Sequence, residues 1–109
     1  MRVTNPLDQA EPLLRPSLLP GMLRAVATNA RHQNPNVRLF EVGRVFRPPA
    51  SGDVLPIERE LVAVVLAGAD ATDAVRVWDV LCDAIRLERG SIEAADRPGL
   101  HPTRAARLR

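Results

Sequence analysis

Whatever this chain folds into must accommodate two apolar runs, Val37 to Phe46 and Leu61 to Ala67, joined by Arg47-Pro48-Pro49-Ala50-Ser51-Gly52-Asp53-Val54-Leu55-Pro56. Both runs are rich in residues that suit a pleated backbone, and both are far too short to cross a bilayer. The joining stretch is loop by composition, because proline has no amide donor and glycine relaxes the backbone. The pair predicts an antiparallel hairpin over about 37–67. Phe40, Val42 and Phe46 alternate onto one face of the first run, Leu39 and Val45 onto the other. Both faces are therefore expected to be covered, as in a central strand.

On either side of the hairpin the period changes. Leu19, Met22, Leu23, Val26, Ala27 and Ala30 fall on one apolar helical face and predict a helix over about 18–33. Ser17 is its expected N-cap, Pro20 suits a first turn, and Asn34-Pro35-Asn36 stops it. Residues 1–16, with Asn5-Pro6, Pro12 and Pro16, read as an extended or turning opening segment with a short strand near Pro12 to Arg15. After the hairpin, a polar spacer (Asp70 to Asp73) precedes Trp78, Leu81, Cys82 and Ile85, which predict a second helix over about 74–89. Gly90 is expected to end it by taking a left-handed cap. The tail, 90–109, is expected to be irregular from Asp96 onward and to enter a further strand at Ala105.

The order strand, helix, strand, strand, helix makes this an α+β chain built around an antiparallel sheet flanked by helices. At 109 residues it is one small domain. A sheet of so few strands leaves edges that an autonomous domain protects, so the chain reads as a slice of a larger domain. Aromatic residues make up only 3%. The core must come from Ala, Val, Leu and Ile, with Trp78, Phe40 and Phe46 as its large anchors. All 15 basic residues are Arg, yet the net charge is only +2. The high isoelectric point follows from Arg chemistry and makes no case for nucleic acid. A single cysteine, Cys82, makes no internal disulfide and fits a reducing compartment. No basic segment leads into a continuous apolar stretch near Met1, so a soluble cytoplasmic protein without membrane contact is expected.

Three stretches carry a family resemblance. The first is Asn5-Pro6-Leu7, then Leu14-Arg15-Pro16-Ser17-Leu18-Leu19-Pro20-Gly21-Met22-Leu23 and Asn29. The second is Arg38-Leu39-Phe40-Glu41-Val42-Gly43-Arg44-Val45-Phe46, followed by Leu55-Pro56 and Glu58. The third is His101-Pro102-Thr103-Arg104-Ala105-Ala106, and the Arg89-Gly90 step resembles a family helix end. In order and spacing these resemble the β chain of bacterial phenylalanyl-tRNA synthetase, over nearly the whole chain. Pro16 stands where the family has a small hydroxyl residue, and Thr103 where it has Gly; both departures bear on local backbone geometry.

The resemblance implies a partial class II aminoacyl-tRNA synthetase-like fold, drawn from the β chain's C-terminal, catalytically silent core module. It implies an α subunit as partner in an (αβ)2 heterotetramer that charges tRNA(Phe). ATP and Mg2+ would be used by the parent complex, with no cofactor or metal in this segment. Met1 falls where family sequences continue, so a truncated gene or partial reading frame is expected. No catalytic, cofactor-binding or metal residue is assigned.

Arg15, with Glu41 and Arg44, is the candidate for phosphate binding, because a guanidinium fork grips phosphate bidentately. The competing and favoured reading is that the hairpin is structural and that these charges pair or face solvent. His101, His32 and Cys82 show no metal-ligand spacing, and Cys82 reads as a core residue. Gly21, Gly43, Gly68 and Gly90 fit turns, caps and close packing, with no phosphate-loop pattern. Arg104, Arg107 and Arg109 lack the aromatic partners that a stacking RNA site uses. The Leu19, Met22, Leu23, Val26 face serves either the chain's own sheet or the α chain, with the sheet favoured. Two rival functions are a free-standing small RNA-binding protein and an autonomous protein-interaction domain.

Overall fold

The computed structural model describes residues 2, 13–51, 55–96, 99–101 and 103–109. The chain divides into two compact units, Met1–Ala69 and Asp70–Arg109. The first holds helix α1 (Leu19–Arg31) and strands β1 (Arg38–Arg47) and β2 (Ile57–Leu66); the second holds α2 (Ala71–Ile85), β3 (Ile92–Ala94) and β4 (Ala106–Leu108). In place of one sheet there are, among the described residues, two, β1–β2 and β3–β4, each of two antiparallel strands.

In the first unit, β1 and β2 pair from Arg38 against Leu66 to Arg47 against Ile57. β2 starts at Ile57, earlier than its apolar run, because the ladder continues through Glu58, Arg59 and Glu60 opposite Phe46, Val45 and Arg44. The expected strand near Pro12 to Arg15 reduces to one isolated bridge, Arg2 to Leu13. Pro12 itself, Asn5-Pro6-Leu7, Gly52 to Val54, Pro98 and Pro102 lie outside the described residues.

α1 covers only one face of the hairpin. Leu18, Met22 and Val45 are buried, and Val37 closes that core at the start of β1. The stripe turned inward runs through Met22, Ala25, Val26 and Asn29, while Leu19, Leu23, Ala27 and Ala30 of the expected face stay exposed. The other face is open. Phe40, expected as a core anchor, is 76% exposed, and its neighbours Val42, Val62 and Val64 are exposed too. The sequence reads a strand apolar on both sides as buried on both, but among the described residues α1 is the only helix of this unit, and it covers one side.

The helix ends also differ from expectation. Ser17 accepts the Leu19 amide at 3.1 Å, but Leu18 occupies the cap position and has no side-chain cap. α1 closes on Gln33 at φ 61°, with the Asn34 amide reaching back to the Asn29 carbonyl at 3.0 Å. α2 begins at Ala71, because Asp70 caps it by accepting the Asp73 amide at 3.0 Å; the polar spacer is the first turn. It ends at Ile85 rather than near Arg89. Arg86 takes the left-handed position at φ 56°, and the Leu87 amide bonds the Cys82 carbonyl at 2.9 Å. Both ends satisfy their carbonyls in the Schellman manner without glycine, which is why Gly90 misled the boundary.

Gly90 serves the β3–β4 hairpin instead. It sits at φ 65°, and a side chain there would run into the Arg109 carbonyl. Ser91 and Arg109 exchange backbone hydrogen bonds at 2.8 and 3.0 Å, so the tail is paired where irregular chain was expected. The expected strand entry at Ala105 holds nearly to the residue, since β4 begins at Ala106.

Candidate functional site

Arg15 is fixed by its neighbours in sequence before it meets anything else. Pro16 restricts it to extended backbone. That conformation lays Arg15 along the outer edge of β1, where its carbonyl accepts the Phe46 amide at 2.9 Å. The side chain then turns back over the strand. Nε donates to the Arg44 carbonyl at 2.9 Å, and Nη1 meets the Glu41 carboxylate at 2.5 Å.

Gly43 makes this possible. It lies between Glu41 and Arg44, and a Cβ on it would collide with the Arg15 guanidinium. The same Cβ would stand 3.1 Å from both Glu41 Oε1 and Leu18 Cδ2. Glycine is needed here for close approach of a side chain to backbone rather than for an unusual φ. The Arg15 and Glu41 side chains are 45% and 30% exposed, so the pair is partly screened and partly packed.

Arg44 does not join them. Its side chain alternates onto the open face, where Nη1 lies 3.4 Å from Glu58 Oε2. The structure thus brings Arg15 to Glu41 and to the backbone of Arg44, but places the Arg44 guanidinium elsewhere. With Nε and Nη1 both engaged, the Arg15 fork is a clasp between the opening segment and β1. An anion would have to displace Glu41 to use it bidentately.

The other candidates are scattered. His32 Nδ1 lies 2.8 Å from the Thr28 carbonyl at the end of α1. His101 Nδ1 is met by the Thr103 amide and hydroxyl, each at 3.3 Å, in a tight turn. Cys82 is 1% exposed. Among the described residues no three metal-ligating side chains converge. Arg109 pairs with Glu93 at 3.1 Å, and Arg107 stands opposite Glu93 in the ladder, so both belong to the β3–β4 hairpin.

One arrangement went unread in the sequence. Arg89 bonds Asp79 at 3.0 Å and Asp83 at 2.7 Å, while its carbonyl accepts the Trp78 indole N–H at 3.1 Å. The signal was the Asp79–Asp83 spacing, which puts both carboxylates on one face of α2. Only the turn at Arg86 brings Arg89 back to them.

Comparison with known proteins gives one family. A family model described as the phenylalanyl tRNA synthetase beta chain CLM domain matches residues 1–109. The chain is 29% identical over 110 residues to the phenylalanine–tRNA ligase beta subunit of Clostridium tetani, a match that covers 99% of this chain and 14% of that protein. It is 33% identical over 116 residues to the beta subunit of Xanthomonas oryzae pv. oryzae, covering 95% and 15%. It is 35% identical over 114 residues to that of Staphylococcus haemolyticus, covering 93% and 14%. The chain therefore spans about one seventh of the length of these relatives.

Proposed function

Because this chain belongs to the phenylalanyl-tRNA synthetase beta chain CLM-domain family, we propose that it is a non-catalytic segment of a phenylalanine–tRNA ligase, contributing structure and subunit contact. The observation that carries the proposal is the family match over residues 1–109, joined to the state of its best candidate for chemistry. Arg15 is held by Glu41 and the Arg44 carbonyl, an arrangement suited to holding a hairpin together.

The parent complex activates phenylalanine with ATP and transfers it to tRNA(Phe), with this segment lying in a partial class II-like module beside an α subunit in an (αβ)2 heterotetramer. ATP and Mg2+ belong to that complex. Within this segment the Arg15 fork, the candidate for phosphate, is engaged by Glu41 and the Arg44 carbonyl. The tRNA is met through the parent complex, in the cytoplasm, and DNA and membranes play no part. Among the described residues no helix is long and apolar enough to cross a membrane.

A free-standing RNA-binding reading predicts arginines grouped with stacking aromatics. Here Arg89, Arg107 and Arg109 face acidic partners instead, and Phe40 has valines beside it. The test is co-expression with a cognate synthetase α subunit. A stable complex supports the subunit-contact role. A folded chain that ignores α removes that role and returns the autonomous-domain reading.

A further inference from the structure

The end of α2 runs against the local preference of its sequence. Arg86, Leu87, Glu88 and Arg89 are all good helix formers, and neither proline nor glycine stands between Ile85 and Gly90. Yet α2 stops at Ile85. The stop requires Arg86 at φ 56°, where the Cβ of an L-residue crowds the following carbonyl. Gly90 already stands at φ 65°, the conformation of a helix C-cap. Two stops therefore lie in series, and the structure uses the one that is intrinsically poorer.

What tips the choice is Arg89. Its Nε meets Asp79 at 3.0 Å, its Nη2 meets Asp83 at 2.7 Å, and its carbonyl accepts the Trp78 indole N–H at 3.1 Å. None of the three survives in a longer helix. At helical rise, Arg89 would lie about 15 Å beyond Asp79 and about 9 Å beyond Asp83 along the axis. It would also be turned about 240° from Asp83, away from its face. All three contacts exist only when the chain reverses at Arg86. A single exposed pair contributes little, but here one guanidinium spans two carboxylates. One of them, Asp83, sits near the helix C-terminus, where negative charge is unfavourable, and α2 has no basic residue in its last turn to answer it.

Asp83 has a second partner in a longer helix. Arg86 would follow it at i+3 on the same face, the spacing at which Arg76 already meets Asp73 in the first turn of α2, at 3.6 Å. We infer that the C-terminus of α2 is a two-position latch. With Arg89 on Asp79 and Asp83, the helix ends at Ile85. With Arg89 released, it runs on through Arg89 and stops at Gly90, and Asp83 passes to Arg86. The start of β3 moves with it, from beside Trp78 to beyond the end of the helix. The latch is built wholly from residues 78–90 and does not depend on the synthetase reading.

The test is NMR of the 109-residue chain. Backbone chemical shifts of residues 86–89 report the helix end, and the indole N–H of Trp78, the only tryptophan, reports the latch. The wild type is expected to show a left-handed Arg86 and a protected indole N–H. Arg89→Ala is expected to turn residues 86–89 helical, raise the far-ultraviolet helical signal and expose the indole N–H. Asp79→Asn combined with Asp83→Asn releases the latch and leaves residue 89 unchanged. The same shift is expected there, which separates loss of the latch from the helix preference of alanine. Adding Arg86→Gly to Arg89→Ala removes the crowding at the first stop and is expected to return the helix end to Ile85. Residues 86–89 that stay non-helical in both latch variants overturn the proposal, because the end is then fixed without Arg89. So does a second unit that unfolds in both, because Arg89 then holds the fold together rather than choosing between two ends.

Discussion

The outer edges of β1 and β2 carry equivalent backbone groups and meet opposite fates. On β1, Arg15 supplies a carbonyl to the Phe46 amide and a guanidinium to the Arg44 carbonyl, so one residue satisfies a donor and an acceptor of the edge. On β2 the corresponding groups of Glu58 to Leu66 meet no backbone among the described residues. The difference does not come from the strands. It comes from Gly43, which opens room on β1 for a flat side chain, and from Pro16, which holds Arg15 extended beside it. An edge is closed by what the neighbouring chain brings, and β1 has such a neighbour in the opening segment.

The comparison breaks most strongly at Gly43. Gly43→Val drives a branched side chain into the Arg15 guanidinium and Leu18, and is expected to destabilise the first unit by about 3 kcal/mol, from overpacking and loss of a charged hydrogen bond. The denaturant midpoint measures it, and an unchanged midpoint refutes the role given to Gly43. Arg15→Ala removes the clasp without a clash, and is expected to cost about 1–2 kcal/mol, since the pair is partly exposed. Amide exchange sharpens the point: in Arg15→Ala the Phe46 amide should lose protection while amides facing β2 keep theirs. In dilute wild type the Val62 and Val64 amides should exchange quickly, in contrast to Phe46.

Smaller effects separate packing from decoration. Arg86→Gly relieves a left-handed arginine at the end of α2 and is expected to stabilise the second unit by about 1 kcal/mol, read as a higher melting temperature. Arg44→Ala removes an exposed pair at 3.4 Å to Glu58 and is expected to change stability by less than about 0.5 kcal/mol. A large loss in Arg44→Ala would mean that the open face is organised by charge.

Much of the chain was legible before any coordinates. Apolar spacing located both helices, and the proline-rich stretch between two apolar runs located the hairpin. Of the two fates expected for the charges of Arg15, Glu41 and Arg44, pairing or facing solvent, the structure holds pairing. The misreadings share a cause. Glycine is the usual left-handed residue, so Gly90 reads as a helix stop, yet Arg86 takes that conformation and Gly90 serves the close approach of Arg109. An aromatic residue in an apolar run usually packs, so Phe40 reads as a core anchor, yet it lies exposed on the face that α1 does not cover.

The sequence by itself determined the family, the two helices and the antiparallel hairpin, because these follow from residue pattern, local backbone preference and side-chain alternation along the chain. Which arginine clasps which carboxylate was decided only in the tertiary structure. So were the face of β1 that is buried and the β2 edge that stays open. Those outcomes depend on where α1 and the opening segment come to lie, and a helix has one buried stripe to offer to a sheet with two faces.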